Sequence, residues 1–194
     1  MTATRGVIAA AVAVSLLGQF GKDAAVLAWL NLTPPDPALG LFGAFDWQQP
    51  WRLISATLLH FGILHLLFNG VFVYLLAEDV ERLDGPGPLL ALIACTSIAG
   101  LLGEHWLSGA SVIGGLSGAV YGLWGYRWMR SRARPAYGLD QGITLVLLIN
   151  LVLGYIGLLS VLMGAAVANH AHLIGAVSGM ALGWIAQQAS VSPR

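Results

Sequence analysis

Charge is scarce in this chain. Only 9% of its 194 residues are Asp, Glu, Lys or Arg, against about one quarter in soluble domains, so an ordinary solvated surface is excluded. Neither sign dominates. Nine basic residues balance nine acidic ones, which argues against nucleic acid or another polyanion as a partner. Cysteine is nearly missing: the single Cys95 lies in an apolar run and cannot form an intramolecular disulfide, so cysteine does not report the compartment. There is no Gly-x-Ser-x-Gly and no α/β alternation, which excludes the elbow of soluble hydrolases. There is also no His-Glu-x-x-His, and no acid flanks His65 or His172. That argues against metal catalysis despite five histidines, and nothing implies another cofactor.

Apolar residues are what the chain has instead. They make up 57% of it, the mean hydropathy is +0.77, and the few charges cluster, leaving long runs almost free of them. This composition predicts a polytopic, all-α membrane protein in which residues 1–194 form one domain with its core at 51–187 and the lipid bilayer as its environment. Six spans are expected. The first lies within residues 1–20, a retained transmembrane helix rather than a cleaved signal peptide because further spans follow. The second runs Leu53 to Ala77, the third Leu89 to Leu107 after the helix-starting Pro86 and Pro88, and the fourth Leu116 to Met129. The fifth runs Gly142 to Val167 and the sixth Ala171 to Gln187. Between the first two, residues 21–52 mix Lys22, Asp23, Pro34, Pro35, Asp36, Pro37 and Asp46 with Trp29, Trp47 and Trp51. That blend is too polar to span and too apolar for a solvated loop, so it predicts a segment lying at the membrane interface.

Six spans put both termini on one side. Of the nine Lys and Arg, Arg5, Arg82, Arg127, Arg130, Arg132, Arg134 and Arg194 then share that side, while Lys22 and Arg52 fall opposite. Seven against two predicts cytoplasmic termini. His60, His65, Ser117 and His172 all then lie toward the outer half of the bilayer.

These polar residues carry the chemistry. Ser117 follows Gly114-Gly115 and precedes Gly118, so backbone can approach closely on either side. It stands near a helix start, where free amides favour a developing oxyanion. His172, in Asn169-His170-Ala171-His172, is an ionisable group at membrane depth and the candidate general base. Gly175, Gly179 and Gly183 follow it at i, i+4, i+8, and Gly118 and Gly122 form a matching stripe beside the serine. Two such stripes predict helices in backbone contact, bringing His172 to Ser117. No carboxylate is at hand for a triad; Glu104 is the one acid that sequence leaves open. Tyr121, one turn after Ser117, can pack on the imidazole and orient it. His65 and Asn69 share a helix face at i, i+4 and suit an oxyanion hole, and His60 can orient a loop or a water. Two other readings fit these residues: a six-span transporter lined by His65, Asn69 and His172, and a non-catalytic binder of membrane proteins that tolerates Ser117→Ala.

The residues Trp51-Arg52, His60-x-x-x-x-His65-x-x-x-Asn69, Glu81-Arg82, Gly114-Gly115-Leu116-Ser117-Gly118 with Tyr121, and Ala171-His172-x-x-Gly175 stand in this order on several spans. Together they resemble the rhomboid intramembrane serine proteases, from Trp51 to Gly183. The resemblance implies a six-helix bundle with a recessed serine helix below a cavity open to the outer side. It implies a Ser117–His172 dyad and an oxyanion hole from His65, Asn69 and the Ser117 amide. Tyr121 would stack on His172, with Gly115, Gly118, Asn169 and His60 in support. It implies a lateral loop with Trp51-Arg52 at its base, and a bacterial inner-membrane location. Substrates would be single-span membrane proteins, cut in or near the outer end of the span, usually after a small residue. Some small bacterial relatives remove C-terminal anchors, and that specialisation stays open. So does the oligomeric state. With no soluble domain expected before the first span, the chain reads as the minimal form. Both Ser117 and His172 are present, against a catalytically dead relative.

Overall fold

The structure is a computed structural model that describes residues 2–36, 41–42, 45–163 and 166–191. Pro37 and Arg194 lie outside the described residues. Among the described residues the regular structure is helical apart from one two-residue strand pair, Pro35–Asp36 against Leu41–Phe42. Its helices are α1 (Ala3–Leu17), α2 (Ala24–Leu30), α3 (Arg52–Leu58), α4 (Ile63–Asp84), α5 (Pro86–Ser108), α6 (Ser117–Ser131), α7 (Gln141–Tyr155), α8 (Leu158–Met163) and α9 (Asn169–Val191).

Burial is inverted relative to a soluble protein. α6 sits at the centre and is buried without a break from Ser117 to Arg127, polar and charged residues included. α4, α5 and α9 surround it. The outward faces of the surrounding helices are apolar: Leu64 and Leu67 on α4, Val146 and Ile149 on α7, Val177 and Trp184 on α9 are all exposed. Apolar surface of that extent needs a lipid solvent. α4 and α5, at 22 and 23 residues, are each long and apolar enough to cross a membrane.

The contact between α6 and α9 is made by glycine. A Cβ on Gly175 or Gly179 would overlap the carbonyl oxygen of Gly118 or Gly122, and one on Gly183 would stand 2.8 Å from that of Tyr126. The two backbones touch over more than two turns. Overpacking such a seam costs about 1–3 kcal/mol per added methyl group, more when backbone must move.

Two expected spans are interrupted. The second is not one helix from Leu53 but α3 and α4, separated by residues 59–62. Leu59 is extended (ψ 132°) and His60 is buried in the gap, with Nδ1 3.0 Å from the Leu58 carbonyl oxygen and 3.3 Å from Ser15 Oγ. The imidazole takes the Leu58 carbonyl oxygen, which an unbroken helix would have kept for itself. The fifth breaks at Ile156-Gly157, where Gly157 has φ +79°, a left-handed turn that ends α7 and starts α8. The segment expected at the interface contains α2, capped by Asp23 on the Val26 amide at 2.9 Å. It leaves Trp29 and Trp47 66% and 70% exposed.

Candidate active site

Ser117 is the first residue of α6 and is buried at 8% exposure. The chain enters through Gly114-Gly115, threaded between α3 and α4. The Gly115 amide donates to the Ala56 carbonyl oxygen at 3.2 Å. Gly115 has φ +112°, a region that favours glycine. A side chain there would also collide: its Cβ would lie 2.7 Å from His65 Nε2 and 3.4 Å from Asn69 Nδ2. His65 and Asn69 are thus held against the backbone two residues before the serine. Leu116, the next residue, donates its amide to His60 Nε2 at 3.5 Å. With its proton on Nδ1, the His60 ring can give to Leu58 and accept from Leu116, so it ties α1, the α3–α4 break and the serine loop together.

His172 is the fourth residue of α9 and 6% exposed. Its ring stacks on Tyr121 with centroids 4.6 Å apart and planes 18° from parallel. Because Tyr121 lies one turn after Ser117, this stack holds the imidazole over the α6 face that carries the serine. Tyr121 is itself fixed, its hydroxyl donating toward the Leu147 carbonyl oxygen at 2.8 Å and Asn150 Oδ1 at 2.9 Å. Among the described residues no hydrogen bond joins Ser117 to His172; such pairs commonly tighten only around bound substrate. His172 Nδ1 and both amide atoms of Asn69 are buried without a hydrogen-bond partner among the described residues. Buried polar atoms are rarely left so; here Asn69 stands against Gly115, two residues before the serine, and His172 against Tyr121, one turn after it.

Beside Ser117, toward α5, lies a small cavity lined by Ser97, Leu101, Ile113, Gly114, Gly115, Gly118, Ala168 and Ala171. No wall residue is larger than leucine or isoleucine.

The other singled-out residues make structural contacts around the site. Arg52 is 4% exposed and donates to Gln49 Oε1 at 2.9 Å and the Asn31 carbonyl oxygen at 2.8 Å. Trp51 Nε1 donates to the Trp29 carbonyl oxygen at 3.3 Å. Asn169 Nδ2 donates to the Gly154 carbonyl oxygen at 3.0 Å, joining the start of α9 to α7. Gly118 forms the seam with Gly175.

Sequence reasoning gave no part to Asn31. Its Nδ2 donates to the Ser111 carbonyl oxygen at 2.7 Å and its Oδ1 accepts from the Ile113 amide at 3.1 Å. The interfacial segment is thereby stitched to the serine loop. A lone asparagine between Leu30 and Leu32 was the available signal. Asn150, inside the apolar run of α7, is a second case.

The Rhomboid domain family model matches residues 47–189. The chain is 35% identical over 179 residues to the rhomboid protease GlpG of Yersinia enterocolitica, covering 91% of this chain and 60% of that protein. It is 33% identical over 193 residues to rhomboid protease GlpG of Pectobacterium atrosepticum, covering 98% and 65%. It is 32% identical over 184 residues to that of Klebsiella pneumoniae, covering 94% and 62%. The chain therefore spans about three fifths of the length of the curated relatives it matches.

Proposed function

The chain belongs to the Rhomboid domain family, and we propose that it is an intramembrane serine endopeptidase with Ser117 as nucleophile and His172 as general base. The observation that carries this reading is the Tyr121–His172 stack above the serine face of α6, with His65 and Asn69 against Gly115. Ser117 Oγ attacks the scissile carbonyl carbon while His172 takes the hydroxyl proton. The carbonyl oxygen becomes an oxyanion and accepts hydrogen bonds from His65, Asn69 and the Ser117 amide at the start of α6. On collapse, the protonated His172 gives its proton to the leaving amine, and an acyl-enzyme remains. Water, deprotonated by His172, then releases the new carboxyl end and frees Ser117. The two side chains work as a dyad. Tyr121 orients the ring by stacking, the task that a carboxylate performs in triads.

The protein is an integral membrane protein. In the proposed topology α1, α4, α5, α6, α7 and α9 are six spans of a single membrane domain, with both termini cytoplasmic and the site opening to the outer side of a bacterial inner membrane. Seven of nine Lys and Arg on the terminal side support this. At 15 residues, α6 is only about 22 Å long, against a hydrocarbon core of about 30 Å. With its arginine-bearing end at one interface, Ser117 falls short of the other and is recessed. The substrates are single-span membrane proteins, cut in or near the outer end of the span after a small residue. The small cavity beside Ser117 supports that preference. A transmembrane helix must unwind to present its peptide bond, so helix-weakening residues near the scissile bond favour cleavage.

A fluorophosphonate probe tests this without a known substrate. Purified wild type should label, and Ser117→Ala and His172→Ala should not. Folded wild type that stays unlabelled from mildly acidic to mildly basic pH would sink the protease reading, and labelling that survives Ser117→Ala would place the nucleophile elsewhere.

A further inference from the structure

Helix α9 carries His172 in its first turn, yet its own sequence does not cap it. Ala168 occupies the N-cap position, since its carbonyl oxygen accepts the first helical bond, from the His172 amide at 3.3 Å. Alanine offers no side-chain acceptor to the amides of the first turn. The missing acceptor comes from another helix. Glu104, on α5, is 6% exposed, and its Oε2 accepts from the Ala171 amide at 3.1 Å. Ala171 is the third residue of α9, the position whose amide an N-cap side chain would take. A carboxylate also suits the positive end of a helix.

The same α5 face holds α9 in two further ways. A Cβ on Gly100 would stand 2.9 Å from the Ala171 carbonyl oxygen, and one on Gly103 would overlap Ile174. Backbone contact and hydrogen bond converge on the residue before His172. A related contact supports α1, which has its own N-cap in Thr2. Glu81, on α4, accepts from the amides of Ala3 and Thr4 at 2.7 and 2.9 Å. At α1 the contact lies far from Ser117; at α9 it lies beside the candidate base.

We infer that Glu104 is a positioning residue for His172: it caps α9 from α5 and thereby sets where the imidazole stands over Ser117. It acts on the backbone. Its carboxylate does not complete a triad, because His172 Nδ1 has no hydrogen-bond partner among the described residues. Two elements then share the placing of the base, α5 through the helix start and α6 through Tyr121 on the ring. The inference rests on His172 as general base, and its test separates the two.

The test measures cleavage of a reconstituted transmembrane substrate and the rate of fluorophosphonate labelling, both per folded molecule. The variants are Glu104→Ala, Glu104→Gln and Glu104→Ala with Ala168→Ser. Glu104→Ala should lower kcat and the labelling rate roughly tenfold or more, with KM little changed, because misplacing a reacting group by a fraction of an ångström is costly. Glu104→Gln keeps an acceptor oxygen and should recover most of the rate. Ala168→Ser supplies a local cap and should restore Glu104→Ala. If Glu104→Ala does not fold, the double variant decides alone: folded and active supports the inference, folded and slow overturns it. Glu104→Ala at the wild-type rate overturns it too. So does a Glu104→Gln as slow as Glu104→Ala that no local cap rescues, which would assign the effect to charge. Wild type that fails to label would remove the premise about His172 instead.

Discussion

The two ends of α6 are built on opposite terms. At its C-terminal end Arg127 is 5% exposed, with every nitrogen engaged: Nε gives to the Tyr137 carbonyl oxygen, Nη1 to that of Leu75, and Nη2 to Asp79 and the Gly138 carbonyl oxygen. Asp84 accepts from the hydroxyls of Tyr126 and Tyr137 and pairs with Arg130 at 3.6 Å. The N-terminal end is the reverse. At this end Asn69, Ser97 and His172 Nδ1 are buried without partners among the described residues. Saturated polar groups fix a helix in place. Unsaturated ones each cost about 1–3 kcal/mol; in the proposed reaction that is stability forgone where a substrate would make the missing bonds. One short helix is clamped at one end so that the other can stay poised.

The largest expected effects fall at the poised end. Ser117→Ala or His172→Ala should cut cleavage by roughly four orders of magnitude while thermal unfolding hardly moves. A large drop in unfolding temperature would blur the contrast, showing that the poised end also holds the fold. Asn69→Ala should lower kcat roughly 10²- to 10³-fold, and here stability should hold or rise, since the substitution removes an unpartnered buried amide. Loss of both together would mean that Asn69 is structural.

The clamped end should behave the other way round. Arg127→Ala should destabilise by about 3 kcal/mol, the low end for a broken buried pair because Asp79 is 36% exposed. Denaturant titration would read the loss, and the labelling rate of the remaining folded protein should be unchanged. The smallest effect belongs between the two ends. Tyr121→Phe keeps the ring stack and loses the hydroxyl bonds to α7, about 1 kcal/mol of stability, whereas Tyr121→Leu loses the stack and should cost more activity. Equal losses of activity would leave the stack without a part in placing His172.

The clamped end could not be foreseen in detail. The sequence shows arginines after the fourth apolar run, which serve there as a count of charge. The folded chain turns Arg127 and Arg130 inward. Their acceptors come from Leu75 to Asp84 and from residues 137–138, and those pairings depend on how three chain segments end side by side.

What the sequence determined by itself is whatever depends on neighbours within a turn or two. The apolar runs follow from composition. His65 and Asn69 share a face because they are four residues apart, as do Ser117 and Tyr121. The glycines of α6 and α9 announce a close seam because only residues without side chains allow one. The tertiary structure decided what depends on a distant partner. His60 sits in a helix break, where Ser15 and Leu116 meet its ring. Asn31 holds the serine loop from about eighty residues away. Glu104 meets Ala171 across 67 positions of chain, not the His172 ring. A buried polar group must find a partner wherever the fold brings one within about 3 Å. Periodicity shows which face such a group occupies; only packing shows what stands opposite.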